Sequence, residues 1–290
     1  DNNMKKSLFS IGFALLVSAS AAFAEGGTFE DFLPENWTAD VVASVKYTRM
    51  HYSNWVAGGT STYTWLLKYD ADVQGKWAYA NWRNLVNLAW GEGWTDGLGK
   101  RKSEDKIFWE STVDFNVSEK IKPYLGGRYE TQFSKTYAYD EDGEISDELS
   151  CFMDPVYLTQ FAGLAYIPND NFSQRLAFAN RMTISHGYGW ADDADTEDEI
   201  EEFRDEPGLE SITEFKYAFS DIMNFKTRLW GFVNFKGVDE IDGKWENTLS
   251  IMLVPFIELT VGFDMAYDKD QDLDAQYKNM VLFGITWRWF

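Results

Sequence analysis

Ile107-Phe108-Trp109-Glu110-Ser111-Thr112-Val113-Asp114-Phe115-Asn116-Val117 alternates with a period of two. Ile107, Trp109, Val113, Phe115 and Val117 share one face; Glu110, Thr112, Asp114 and Asn116 share the other. Successive side chains of an extended chain point to opposite sides, so this stretch is a strand with one apolar and one ionisable face. In 61–74, Tyr63, Trp65, Leu67, Tyr69, Ala71 and Val73 oppose Thr64, Lys68, Asp70, Asp72 and Gln74. In 257–268, Ile257, Leu259, Val261, Phe263, Met265 and Tyr267 oppose Glu258, Thr260, Gly262, Asp264 and Asp268. Segment 223–235 sets Phe225, Leu229, Val233 and Phe235 against Lys226 and Arg228.

Followed along the chain, the pattern predicts twelve strands: 40–52, 61–75, 79–91, 105–118, 121–134, 155–167, 172–187, 209–219, 222–235, 244–254, 257–268 and 277–290. Each exceeds the roughly 9–11 residues that a tilted strand needs to cross a bilayer. The connections alternate. Short ones fall near 76–78, 119–120, 168–171, 220–221 and 255–256, and long ones near 53–60, 92–104, 135–154, 188–208, 236–243 and 269–276. Outer-membrane barrels put tight turns in the periplasm and long loops outside, whereas a soluble sandwich has no reason to sort its loops. The expected fold is therefore all-β: a transmembrane antiparallel barrel of twelve strands over 39–290, with both termini periplasmic and 25–38 as a periplasmic lead-in.

Composition supports this reading. Mean hydropathy is only −0.37, yet 17% of the residues are aromatic and 13 are Trp. A transmembrane barrel hides its apolar face in alternate residues and so escapes a hydropathy average. From Met4 onward, Lys5 and Lys6, the apolar run Leu8 to Ala21 and Ala22-Phe23-Ala24 read as a signal peptide ending at residue 24. Asp1, Asn2 and Asn3 precede that Met and are set aside as a start artefact. Cys151 is the one cysteine, which excludes an internal disulfide and a cysteine metal cluster. A net charge of −21 disfavours nucleic acid as a partner. Segments 135–152, 188–207, 236–243 and 268–276 hold 23 acidic and 4 basic residues, so the excess acid sits in loops and the strands are close to neutral.

Strand parity then predicts a mixed-charge lumen lined by Lys46, Lys68, Asp70, Asp72, Arg83, Glu110, Asp114, Lys122, Arg128, Glu130, Arg181, Glu214, Lys216, Lys226, Arg228, Glu246, Glu258 and Asp264. A charge facing lipid at mid-depth costs roughly 2–4 kcal/mol, so these ions belong inside. Trp55, Trp77, Trp90, Trp94, Trp190, Trp245, Trp287 and Trp289 fall near strand ends and are expected in the two interfacial girdles.

Asn54-Trp55-Val56-Ala57-Gly58-Gly59, the strand through Tyr69, Lys76-Trp77-Ala78-Tyr79-Ala80-Asn81, Ala89-Trp90-Gly91 and Arg101-Lys102-Ser103-Glu104-Asp105-Lys106 resemble an outer-membrane family of Bacteroidetes-type bacteria catalogued only as a domain of unknown function. The resemblance covers roughly 45–135 and implies a topology without an activity. The terminal stretch Val281 to Phe290 resembles the signal read by the barrel assembly machinery, in general type only, because its bulky residues fall on even spacings from Phe290.

Three functions follow from this reading. The first is a passive barrel: a narrow porin or small-solute channel, or a structural component of the outer membrane, with no cofactor. The second is a lipid hydrolase. His51-Tyr52-Ser53-Asn54 places His and Ser on one face of a strand, where imidazole can take a serine proton, and is similar to the His-x-Ser-Asn segment of outer-membrane phospholipase A and lipid A deacylases. The third is binding of a divalent cation or a partner by the acidic loops. Asp268, Asp270, Asp272 and Asp274 have the opening rhythm of a calcium loop without its glycine or closing Glu. Lipopolysaccharide and membrane lipid are the expected partners. His186 reads as a loop-base residue.

Overall fold

The structure is a computed structural model that describes residues 33–50, 61–140, 143–192, 200–237, 241–267 and 274–289. The signal segment 1–24, His51, Ser53, the Asn54 to Gly59 stretch with Trp55, Asp268, Asp270, Asp272 and Phe290 lie outside the described residues.

Twelve long strands close into one antiparallel barrel: β1 (Trp37–Met50), β2 (Thr62–Lys76), β3 (Ala80–Thr95), β4 (Gly99–Phe115), β5 (Ile121–Thr131), β8 (Val156–Asn169), β9 (Phe172–Ile184), β10 (Phe203–Ser220), β11 (Met223–Asn234), β12 (Ile241–Val254), β13 (Ile257–Tyr267) and β14 (Gln276–Trp289). Each pairs with its sequence neighbours, and β1 meets β14 from Val41 opposite Trp289 to Tyr47 opposite Phe283. The two termini of the barrel therefore share the end that carries the tight turns.

All twelve predicted strands are present, and the departures lie above the apolar belt. β3 and β4 run on through most of the expected 92–104 loop and meet at 96–98, where Gly97 and Gly99 take positive φ of 82° and 74°. Only glycine enters that region without steric cost. β10 starts at Phe203, earlier than 209. The 135–154 connection folds as a small hairpin of β6 (Thr136–Tyr139) and β7 (Ile145–Ser150). Outside the bilayer both faces of a strand meet water, so the ladder continues without an apolar side to announce it.

Burial is inverted relative to a soluble domain. Phe178, Val281, Leu164 and Phe283 are more than half exposed, whereas Glu110 and Glu210 are 2% and 1% exposed. An outward apolar wall around inward ions is the arrangement that lipid outside and a polar interior both favour.

Aromatic side chains gather at both rims. Towards the loops, Tyr63 stacks between Tyr47 and Trp94 with centroids 6.5 and 5.5 Å away, and Trp65 meets Trp90 edge-on at 4.7 Å. Towards the turns, Trp37 packs edge-on against Trp77 and Trp82, each at 5.6 Å, and Trp82 Nε1 donates to Ser111 Oγ. Trp245 lies on the outer wall and donates to Thr227 Oγ1. Trp287 is outward near the end of β14, and Trp289 is the last residue of that strand. Trp190 departs from the expected girdle: it lies in the β9–β10 loop, where its Nε1 donates to the Leu149 carbonyl of β7.

A belt of this kind makes detergent obligatory. Residues 25–290 purified in detergent should migrate faster on a cold dodecyl sulfate gel than after boiling. A protein that stays in solution without detergent and migrates identically in both states has no such belt.

Candidate functional site: the lumen

Parity places the lumen-facing residues. On β4 the inward set is Glu104, Lys106, Phe108, Glu110, Thr112 and Asp114, and every second residue of the other strands joins it. At mid-height four arginines meet five acids. Arg128 reaches Glu110 at 2.8 Å and Glu210 at 2.6 Å. Arg228 reaches the same Glu110 at 3.0 Å and Glu214 at 2.6 Å. Arg83 spans Glu214 at 3.1 Å and Asp72 at 2.7 Å. Arg175 sits 3.8 Å from Glu110 and 3.7 Å from Asp114.

Two of these contacts cross the barrel. Arg83 is on β3 and Glu214 on β10, with β4, β5, β8 and β9 between them on the shorter way round; Arg228 on β11 and Glu110 on β4 are separated by β10, β9, β8 and β5. A planar guanidinium can bridge two carboxylates at once, which a point-charge ammonium does less well. The result is a transverse chain of alternating charge, Asp72–Arg83–Glu214–Arg228–Glu110–Arg128–Glu210.

Lysines continue the pairing on either side. Towards the loops, Lys106 of β4 lies 3.6 Å from Glu246 of β12 on the opposite wall, Lys244 is 3.0 Å from Glu246, and Lys278 pairs with Glu104. Lys68 sits among Asp70, Glu104, Glu246 and Asp264, and Asn87 Nδ2 donates to Asp70. Arg181 pairs with Asp242 at 2.7 Å. Towards the turns, Glu258 takes both Lys46 and Arg288 at 2.9 Å, and Lys216 stands 3.8 Å from Asp72. Lys226, exposed to the lumen, faces Lys216, Arg288, Asp40 and Asp70. Lys122 and Glu130 share the inward parity of Tyr124 and Arg128 on β5.

One wall of the lumen is apolar, which the charged reading of the strands did not contain. Tyr124, Phe161, Ala165, Ala177, Ala179 and Phe232 form a buried cluster with Trp230 against it. Guanidiniums lie over these rings, Arg128 above Phe161 and Arg175 above Tyr124, both at 5.5 Å, where the ring quadrupole attracts a cation. Trp230 Nε1 donates to Glu210 at 2.7 Å. The Phe161 ring lies across Gly126, where an added Cβ would come within 2.6 Å of it. Arg175, Glu210, Trp230 and Phe232 share parity with Arg181, Glu214 and Arg228, so strict alternation carried through every strand would have found them.

At the loop end a cavity of about 240 Å³ lies between Lys102, Glu104, Asp105, Gln132, Thr136 and Lys278. Asp105 holds its rim by accepting from the backbone N–H of Phe133 and Ser134. The β6–β7 hairpin is pinned beside it: Arg101 covers the Tyr139 ring at 3.9 Å, and Glu148 accepts from Lys135 Nζ and Tyr188 Oη at 2.6 and 2.7 Å. His186 stands at a loop base, its backbone N–H donating to Asp154. Of the acidic quartet, Asp274 alone is described, and no three metal-ligating side chains converge among the described residues.

A family model described as a protein of unknown function (DUF3078) matches residues 47–137, and no curated protein matches. Among solved structures, the chain is similar to the NanC porin (8% identity, TM-score 0.41, 86% of this chain and 99% of that one). It is similar also to the COG4313 outer membrane channel from Pseudomonas putida F1 (10%, 0.42, 89% and 96%) and to the CymD monoaromatic hydrocarbon channel (10%, 0.34, 89% and 89%). At such identities these proteins carry no activity across.

Removing one partner from a buried ionic pair strands the other, at a cost of about 3–5 kcal/mol. Arg128→Met, which leaves Glu110 and Glu210 short of a partner, should lower the unfolding free energy of the detergent-folded barrel by that order, read as a lower urea midpoint at unchanged slope. An unchanged midpoint would mean that lumen water already solvates the pair. In the hairpin, the Lys135 ammonium and then the Tyr188 hydroxyl hold the Glu148 carboxyl below its ordinary value. A depressed carboxylate contributes fully at neutral pH and loses that contribution as pH falls through its folded value. Amide protection factors in 136–140 and 143–150, which correct for the intrinsic slowing of exchange in acid, should therefore fall on acidification in the wild type, and Glu148→Gln should abolish that fall.

Proposed function

We propose that this protein is an integral outer-membrane β-barrel of porin-like type, a narrow passage for small solutes whose throat is the arginine belt. The observation that carries the reading is the set of ion pairs joining opposite walls: Arg83 to Glu214, Arg228 to Glu110 and Lys106 to Glu246. Twelve strands enclose less than the open lumen of the 16–18-stranded porins, and here cross-lumen side chains narrow it again. A throat of near-balanced charge discriminates by size and hydration more than by sign.

The tight turns and both ends of the barrel face the periplasm in this proposal, and the acidic loops with the β6–β7 hairpin face outward. The signal segment supplies export, and the assembly machinery engages the stretch Val281 to Phe290. Lumen chemistry here is passage rather than catalysis.

Planar-bilayer recording tests it. The wild type should give small unit steps, and an Arg83→Ala, Arg228→Ala double variant that still shows the heat-dependent gel shift should give clearly larger ones. Silence from both would leave a sealed, structural barrel.

A further inference from the structure

One cross-section of the lumen, close to the turns, distributes its charges unevenly. Asp40 and Lys226 each lie three residues inside the turn end of their strands, Trp37 and Met223. Asp72 and Lys216 each lie four residues inside theirs, Lys76 and Ser220. In the ladders Asp40 is the direct partner of Asp72, and Lys216 of Lys226. Like charges set directly opposite one another destabilise a sheet. This level holds two such pairs, an acidic one on β1 and β2 and a basic one on β10 and β11. One step further in on β10 and β11, Glu214 and Arg228 are complementary.

Half of the mismatch is resolved within the protein. Lys216 stands 3.8 Å from Asp72, although five strands separate β2 from β10 either way round the ring. The contact therefore spans the lumen and divides this level into two sectors. One contains Tyr124 and Arg175 with the aromatic cluster. The other runs from Lys226 on β11 to Asp40 on β1, and between them β12, β13 and β14 present Ser250, Thr260 and Thr286 at the same distance from the turns. Its wall is made of hydroxyls.

Lys226 and Asp40 are the members left over. Lys226 is exposed and makes no hydrogen bond or ion pair among the described residues. Asp40 is half-buried and equally uncommitted; only its Oδ1 is sealed from solvent, so Oδ2 is open to the lumen. Each acts on the other electrostatically, yet the two do not touch. The remaining charges around them are spent. Arg288 and Lys46 are both on Glu258, Asp70 accepts from Asn87, and both oxygens of Asp72 accept from Arg83.

An ammonium and a carboxylate that face each other across a hydroxyl-lined gap match a solute bearing the opposite charge at each end. A plain anion drawn to Lys226 would meet Asp40 and Asp72, and a plain cation drawn to Asp40 would meet Lys226 and Lys216; like-charge juxtaposition rejects both. We propose that this sector is a binding subsite for a small zwitterion of the α-amino-acid class, with its carboxylate on Lys226 Nζ and its ammonium on Asp40 Oδ2. The proposal rests on the passage reading and names a solute class for it.

Proton NMR tests it, through broadening of the methyl lines of L-alanine, propionate and ethylammonium titrated with the detergent-folded barrel. The wild type should broaden alanine at lower protein concentration than either singly charged analogue. Lys226→Gln and Asp40→Asn should each weaken alanine binding by about tenfold, the loss expected for one charged hydrogen bond. Their effects on the analogues should be opposite: Lys226→Gln strengthens ethylammonium, and Asp40→Asn strengthens propionate. A merely structural role would not exchange these preferences, and retention of the heat-dependent gel shift keeps loss of folding apart from loss of the subsite. No broadening of alanine, equal broadening of all three by the wild type, or variants that rank them as it does, overturns the proposal. Bilayer steps that persist beside such a result leave the passage without this solute class, whereas alanine binding to a barrel silent in bilayers keeps the subsite and removes the passage.

Discussion

Hydrocarbon offers a backbone amide nothing to bond with, and each unmet group there costs several kcal/mol. The hydrogen-bonded seam between β1 and β14 answers that constraint. Without it two strand edges would face lipid along their length; with it every long strand is paired on both sides. Once the sheet is closed, strand parity has only two destinations, lipid and lumen. The outward set must be apolar, and whatever is ionic has to go inside.

The inside has its own difficulty, because charges withdrawn from bulk water are stable only when paired. The lumen solves it with guanidiniums that each bridge two acids, and with carboxylates such as Glu110 that each serve more than one arginine. Because the partners come from opposite walls, the same contacts that stabilise the barrel also occupy its cross-section. The aromatic cluster around Tyr124 and Phe161 lines one wall beside them and lends its ring faces to the arginines. Stability and the narrowing of the lumen are thereby set by one group of side chains.

Above the membrane the constraint lifts, and the chain uses the freedom. β3 and β4 rise past the rim, and the β6–β7 hairpin is held by Arg101, Lys135, Tyr188 and Trp190. Among the described residues, the acids Glu144, Asp147 and Glu148 of this zone meet water and counterions that screen them.

The sequence by itself determined the twelve barrel strands and where their ionic faces go. An apolar–ionic alternation such as Ile107 to Val117 leaves lipid outside and charge inside as the one consistent arrangement. It also revealed which connections are tight, since turn residues and strand ends are local features. Only the tertiary structure decided which acid meets which arginine. Arg83 and Glu214 lie 131 residues apart, and nothing in either strand encodes the stagger that sets them level across the lumen. The inward rings of Trp230 and Phe232 were hidden for a related reason. An apolar residue on the charged face of a strand looks like a lapse in the pattern until closure brings Tyr124, Phe161 and the alanines of β8 and β9 around it. Alternation is a property of one strand; pairing across a lumen is a property of the closed ring.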